Sequence, residues 1–141
     1  MNPRTRELFD QSLRRCDASP RFLDLFYERF LASSPEVAKK FVNTDFVRQK
    51  RALRASLDHL LLAASDEVDG PERYLSDIAD RHGAGQLDIG AELYDLWLDS
   101  LIATVKECDP QYGPDVEKAW ETVMMVGIHY LCKSYGKPGP S

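Results

Sequence analysis

Strand patterns, catalytic signatures and long apolar runs are all scarce in this chain, and each gap removes a class of protein. Alternating apolar and polar residues that would mark half-buried strands are nearly absent, which argues against sandwiches, barrels and mixed sheets. There is no HExxH, no Walker-type loop, no GxSxG, and no GxGxxG following a strand. The only glycine-rich stretch, Gly83-Ala84-Gly85, follows a helical pattern instead of opening one, so it cannot cradle a phosphate at a helix start. Cys16, Cys108 and Cys132 form an odd, scattered set without a CxxC pair; they read as packing residues in a reducing compartment, and a cytoplasmic location is expected. The longest uninterrupted apolar runs, residues 60–64 and 123–126, fall far short of a membrane span. The start, Met1-Asn2-Pro3-Arg4-Thr5-Arg6, leads into a mixed charged segment, so no secretory leader is expected. The formal net charge of −5 offers no attraction to nucleic acid or anionic lipid, and neither is an expected partner. Acidic pairs such as Asp66/Glu67 and Glu92/Asp95 fall in loops or on polar faces and read as solvated surface.

What remains is helix from end to end. The 141 residues, 43% hydrophobic and 29% charged, fit one globular domain. A first helix is expected over 5–15, with Leu8, Phe9, Ser12 and Leu13 inward. Ser19-Pro20 and Ser34-Pro35 each place a capping residue before proline, a strong start signal. The first opens a helix carrying Leu23, Phe26, Tyr27, Phe30 and Leu31, and the second a short segment ending near Phe41. Asn43-Thr44-Asp45 caps a helix to about Ala64, with Gln49, Leu53, Ser56, Leu57 and Leu60 along one face. His59 lies about 120° from Leu53 on that helix, and His129 lies opposite Trp120 on the last; both are expected at the surface. Pro71 starts the helix that ends at His82, and a helix over 92–108, apolar on more than one side, is expected to be central. Pro114 opens the last helix, with Val116, Trp120, Val123, Met124, Gly127, Ile128 and Leu131 inward; Gly136 should cap it.

His82 is the residue with the most chemistry in it. Tyr74, Leu75, Ile78 and His82 share one helical face, so an imidazole stands where the pattern asks for a leucine. A buried imidazole needs a partner: a hydrogen-bonding group if it is a core residue, a metal if it is a ligand. The stripe alone leaves both open.

Upstream, Tyr27, Phe41, Gln49 and Leu53 precede His82 in an order and spacing that narrow the choice. The stretch Leu25-Phe26-Tyr27-Glu28-Arg29-Phe30-Leu31, then Pro35-Glu36-Val37 and Phe41, resembles the join between the second and third helices of a bacterial single-domain globin, of the kind related to Vitreoscilla-type and flavohaemoglobin globin domains. Residues 41–49 are similar to the short bridge into the distal helix, and Ile78-Ala79-Asp80-Arg81-His82 to the end of the proximal helix. Trp97 and Trp120 match aromatic positions of the last two helices.

The resemblance implies an all-α globin fold of six to seven helices around a haem pocket. A single domain is expected over residues 1–141, its core about 5–135 and its end, 136–141, a flexible tail. It implies His82 as the iron ligand of a noncovalent haem b, since the CxxCH needed for covalent attachment is absent. It places the Tyr27 hydroxyl over the iron, Phe41 against the haem edge, Gln49 at the distal gate and Leu53 over the porphyrin. Leu57, Ile78, Tyr94 and Leu98 are further expected cofactor contacts, Val123 is expected in the apolar wall, and Arg81 is a candidate for either a propionate or the surface. Two departures matter. The paired glycines of truncated globins are missing, and Met124 stands four residues after Trp120 where flavohaemoglobin-like chains carry a tyrosine that activates the proximal histidine. Tyr94 is the candidate substitute.

The function implied is binding of dioxygen, nitric oxide or carbon monoxide by a monomer or homodimer. One alternative is nitric oxide dioxygenation, which calls for an external reductase because nothing here reads as a flavin or nicotinamide site. The other is a gas-sensing or interaction module.

Overall fold

The computed structural model describes residues 1–66, 68–82 and 91–134, those at 77–82 and 134 as backbone only. Among the described residues there are seven helices and no strand: α1 (Pro3–Asp17), α2 (Phe22–Ser33), α3 (Pro35–Lys40), α4 (Phe46–Ser65), α5 (Gly70–His82), α6 (Ala91–Cys108) and α7 (Pro114–Ser134). The all-α class expected from the sequence is the one observed. The expected cap at Gly136 and the tail lie outside the described residues.

Local chemistry sets most of the helix starts. The Asn2 side chain accepts the Arg4 N–H at 2.8 Å with Pro3 at the first helical position, so α1 begins two residues before the apolar pattern does. Ser34 accepts the Glu36 N–H at 3.1 Å to open α3, and Asp45 accepts those of Val47 and Arg48 to open α4. Ser19-Pro20 behaves differently from its expected role. The Ser19 N–H donates to the Cys16 carbonyl and the Ser19 carbonyl accepts from Phe22, so these residues form a tight turn and α2 begins only at Phe22. A reversal this short uses the backbone groups of Ser19 for the turn, and the α2 cap, Arg21, makes no side-chain capping bond.

Packing follows the apolar faces. Helix α4 lies along α5 and α7, α2 along α6, and α1 against α7. Trp120, Phe9, Phe26, Leu57, Leu75 and Leu101 are among the largest fully buried side chains. Helix α6 is less enveloped than its pattern suggests: Leu93, Tyr94, Leu101 and Val105 are buried, while Leu96, Trp97, Leu98 and Ile102 are half-buried. Helix α7 matches its expected face, with Leu131 half-buried near its end. Cys16 is buried, Cys108 and Cys132 are half-buried, and all three are free thiols.

Two glycines permit close approaches. A Cβ at Gly70 would sit 2.1 Å from the Ala63 carbonyl oxygen, so the α4–α5 corner closes only around a residue without one. A Cβ at Gly127 would sit 2.0 Å from Leu60 Cδ2, and its absence lets Leu60 of α4 reach the α7 backbone.

One buried polar cluster ties the ends of the bundle. Ser12 Oγ donates to Asp109 Oδ2 at 2.6 Å and accepts the Trp120 indole N–H at 2.8 Å. Arg15 donates to both Asp109 oxygens, and the Gln111 N–H adds a bond at 2.8 Å. Burial works against the Asp109 charge, but these donors outweigh it and hold the carboxyl below the ordinary range.

Candidate functional site

A cavity of about 450 Å³ opens between α2, α4, α6 and α7, within the size range of pockets that take cofactors. Its inner wall is apolar and aromatic, including Phe30, Phe41, Leu53, Leu93, Trp97 and Met124. Its rim runs along α4, where Ala52, Ala55 and His59 both line the cavity and face solvent. Among the described lining residues there is no Asp or Glu, in a chain with 23 acidic and 18 basic side chains.

The Tyr27 end is built from aromatic rings. Helix α2 places Phe26, Tyr27 and Phe30 on its buried face. Phe41, just past α3, and Phe46, the first residue of α4, close over them. The Tyr27 ring meets Phe41 edge-on at 6.0 Å and Phe46 at 5.4 Å, and Phe30 meets Phe41 at 5.8 Å. The ring is held; the hydroxyl is hardly engaged. It lies 3.5 Å from the Gln49 carbonyl oxygen, at the limit for an O–H donor. Tyr27 is 4% exposed, and burial pushes its phenol up to about 12, so it stays a protonated donor at any physiological pH.

Of the residues singled out in the sequence, Tyr27, Phe41, Gln49, Leu53 and Tyr94 line this cavity. Leu57 and Val123 are fully buried in the core beside it, and Leu98 is half-buried; none of the three is among its described lining residues. The side chains of Ile78, Arg81 and His82 lie outside the described residues, although the backbone carries α5 through His82. Tyr94 is buried, and burial raises its phenol well above the ordinary range. Met124 shares the wall with it.

The cavity also gathers residues that pattern reading left out: Lys40, Thr44, Ala52 and His59. His59 is exposed as expected, yet it belongs to the cavity rim. The signal was available, since His59 lies only about 20° from Ala52 on an ideal helix, but that face is polar and small and carries no apolar stripe. The choice of Trp97 over Leu98 was not available. Both lie within about 40° of the Leu93–Tyr94 face, and only the packing of α6 against α2 separates them.

These residues fit a flat, largely apolar cofactor: the walls are apolar and aromatic, and a polar rim faces water. No cluster of three or more His, Cys, Asp or Glu side chains occurs among the described residues. No helix among the described residues is long and apolar enough to cross a membrane.

The Globin family model matches residues 24–131, and the chain belongs to the globin family. It is similar to a Pseudomonas aeruginosa PAO1 protein whose crystal structure is presented as structurally highly homologous to a human haemoglobin. Identity is 40% and the TM-score 0.87, over 94% of this chain and 99% of that one. No curated protein matches. Globins generally bind haem, together with gaseous ligands such as dioxygen.

Proposed function

We propose that the chain acts as a single domain that holds noncovalent haem b in this cavity and binds dioxygen or a related diatomic gas. His82 at the end of α5 would hold the iron, and the Tyr27 hydroxyl would donate to the bound gas. When bound, haem supplies an iron that takes up a diatomic gas reversibly. The residues supply everything else.

As the ligand, His82 would use one nitrogen of a neutral imidazole, and its other N–H would need an acceptor to fix the ring. Phe41, Leu53, Leu93 and Met124 keep water from the cavity, which protects a reduced metal from oxidation. Tyr27 offers a proton to an electronegative guest. In a dry site such a bond contributes about 1.5–3 kcal/mol, or roughly ten- to hundredfold in the guest's dissociation rate. Gln49 lines the same end, with its carbonyl toward Tyr27. The observation that carries the reading is this hydroxyl: buried, protonated, facing an apolar cavity and held by its neighbours only at 3.5 Å.

Retention of a gas suits the geometry better than turnover. Met124 lines the cavity and offers only a thioether, at best a weak acceptor, at the position where the resemblance to flavohaemoglobin-like chains expects a tyrosine. Dioxygenation of nitric oxide with an external reductase is the second reading, favoured by the same Tyr27 donor, and the cytoplasm is the proposed setting.

The test is haem titration followed by absorption spectroscopy of the reduced and carbon monoxide-treated forms. The full chain should take up one haem, and His82→Ala should lose the wild-type ferrous spectrum. Wild-type uptake with an unchanged spectrum in His82→Ala would remove the ligand assignment.

A further inference from the structure

Helix α4 is anchored unevenly. From Leu53 onward it enters the core, through Leu57, Leu60, Ala63 and Ala64, but none of residues 46–52 is buried. Those first turns border the cavity, where Gln49 and Ala52 line it, so apolar packing alone does not fix their distance from α2. Joining them to α2 and the end of α1 are the Phe46 ring, which meets Tyr27 and Phe41, and two ion pairs. Lys50 pairs with Asp24 of α2, and Arg54 makes a two-pronged contact with Asp17, at 2.7 and 2.8 Å. Lys50 and Arg54 lie about 40° apart on an ideal helix, each about 100° round from the cavity-lining Gln49 and Leu53. A hydrogen bond from Lys50, and then its charge, hold the Asp24 carboxyl below the ordinary range. Arg21, the other cation acting on Asp24, is itself paired with Glu28 at 2.7 Å.

Asp24 stands three residues before Tyr27 on α2, and Lys50 directly follows Gln49 on α4. The Lys50–Asp24 pair therefore spans the same gap as the Tyr27 hydroxyl and the Gln49 carbonyl, which are 3.5 Å apart. Resting on the haem reading above, we propose that Lys50–Asp24 and Arg54–Asp17 form a positioning strap that sets the width of this gap. At that width the Tyr27 hydroxyl stays short of a full bond to Gln49 and within reach of a bound gas. None of the four charged residues is among the described lining of the cavity, so the strap acts through Tyr27.

The experiment uses the full-length wild type, Lys50→Met, Arg54→Met and the charge-exchanged Lys50→Glu/Asp24→Lys, each with Tyr27 and with Tyr27→Phe. Hydrogen exchange of the haem-free chains reads the strap directly. Amides of residues 49–54 should exchange about two- to fivefold faster in the two methionine variants and return toward wild type in the exchanged pair. In the haem-loaded proteins, dioxygen dissociation should speed by about two- to fivefold and recover in the exchanged pair. It should not change further once Tyr27→Phe has removed the donor. Added salt should speed dissociation from wild type and leave Lys50→Met nearly unmoved, since partly exposed pairs are screened. Equal acceleration with and without the Tyr27 hydroxyl would make the pairs a plain brace of the fold and overturn the proposal. An effect confined to Lys50→Met would remove Arg54–Asp17 from the strap. If wild type takes up no haem, the haem reading fails and the strap's role toward a gas fails with it; if haem and dioxygen bind and no variant discriminates, only the strap fails.

Discussion

At the corner where α1 meets the end of α6, Asp109 takes four hydrogen bonds of 2.5 to 2.9 Å from Ser12, Arg15 and Gln111. At the cavity, Tyr27 is as deeply buried in relative terms, 4% exposed against 2% for Asp109, yet its hydroxyl reaches the Gln49 carbonyl only at 3.5 Å. Along α6 the two regions are separated by 12 residues, Trp97 to Asp109, or about 18 Å. The corner satisfies every strong donor it collects and so contributes to stability. The cavity fixes the Tyr27 ring by packing and leaves its hydroxyl weakly engaged, as the proposed role of donor to a guest requires.

Breaking the corner should have the largest effect. Asp109→Ala leaves the Ser12 hydroxyl without its acceptor in the core and frees Arg15, at a cost of about 3–5 kcal/mol. Thermal unfolding should fall by about 10 °C, while ligand dissociation in the surviving folded protein should stay within about twofold of wild type. A drop of under about 2 °C would mean that the corner is dispensable.

Tyr27→Phe is the mirror experiment. It should speed dissociation of dioxygen from the haem-loaded protein by roughly ten- to hundredfold and move stability by less than about 1 kcal/mol. Stopped-flow dissociation and denaturant unfolding on the same preparation check both halves. A large stability loss without a kinetic change would reverse the roles assigned to the two regions.

The glycines sharpen the contrast. Gly70→Ala forces a Cβ against a backbone carbonyl and should cost about 1–3 kcal/mol. Gly127→Ala meets only the end of the Leu60 side chain, so it should cost less while narrowing the cavity wall. Denaturant midpoints rank the pair, and the opposite ranking would show that the α4–α5 corner opens more easily than its geometry implies.

The smallest effect concerns acid. Because the folded Asp109 carboxyl lies below its ordinary value of about 3.9, its contribution to stability is fully present above that value and is lost as pH falls through the folded one. Acid unfolding curves of wild type and Asp109→Asn should therefore converge as pH drops below about 4. Curves that stay parallel would mean that the carboxylate charge adds nothing there.

Much of this fold was legible in the chain because its signals are local. Ser34-Pro35, Asp45 and Pro114 mark helix starts through hydrogen bonds and dihedral limits that reach no more than three residues. The apolar faces of α1, α4 and α7 were equally plain. Ser19-Pro20 misled because the same residues also serve a turn after α1, and the turn took them. On the cavity wall stand Tyr27, Phe41, Gln49, Leu53 and Tyr94, five of the residues that the resemblance to globins singled out. Lys40, Thr44 and His59 carried no such mark because they are polar and belong to no periodic apolar stripe.

The sequence by itself determined the helices, their inward faces and the order of tyrosine, phenylalanine, glutamine, leucine and histidine, since each depends on spacing along one chain. Only the tertiary structure decided that Trp97 and Met124, instead of Leu98 and Val123, line the cavity, and that the Tyr27 hydroxyl is left so weakly engaged. Periodicity fixes a side chain's direction to within about a third of a turn, whereas which neighbour stands there depends on how two helices cross.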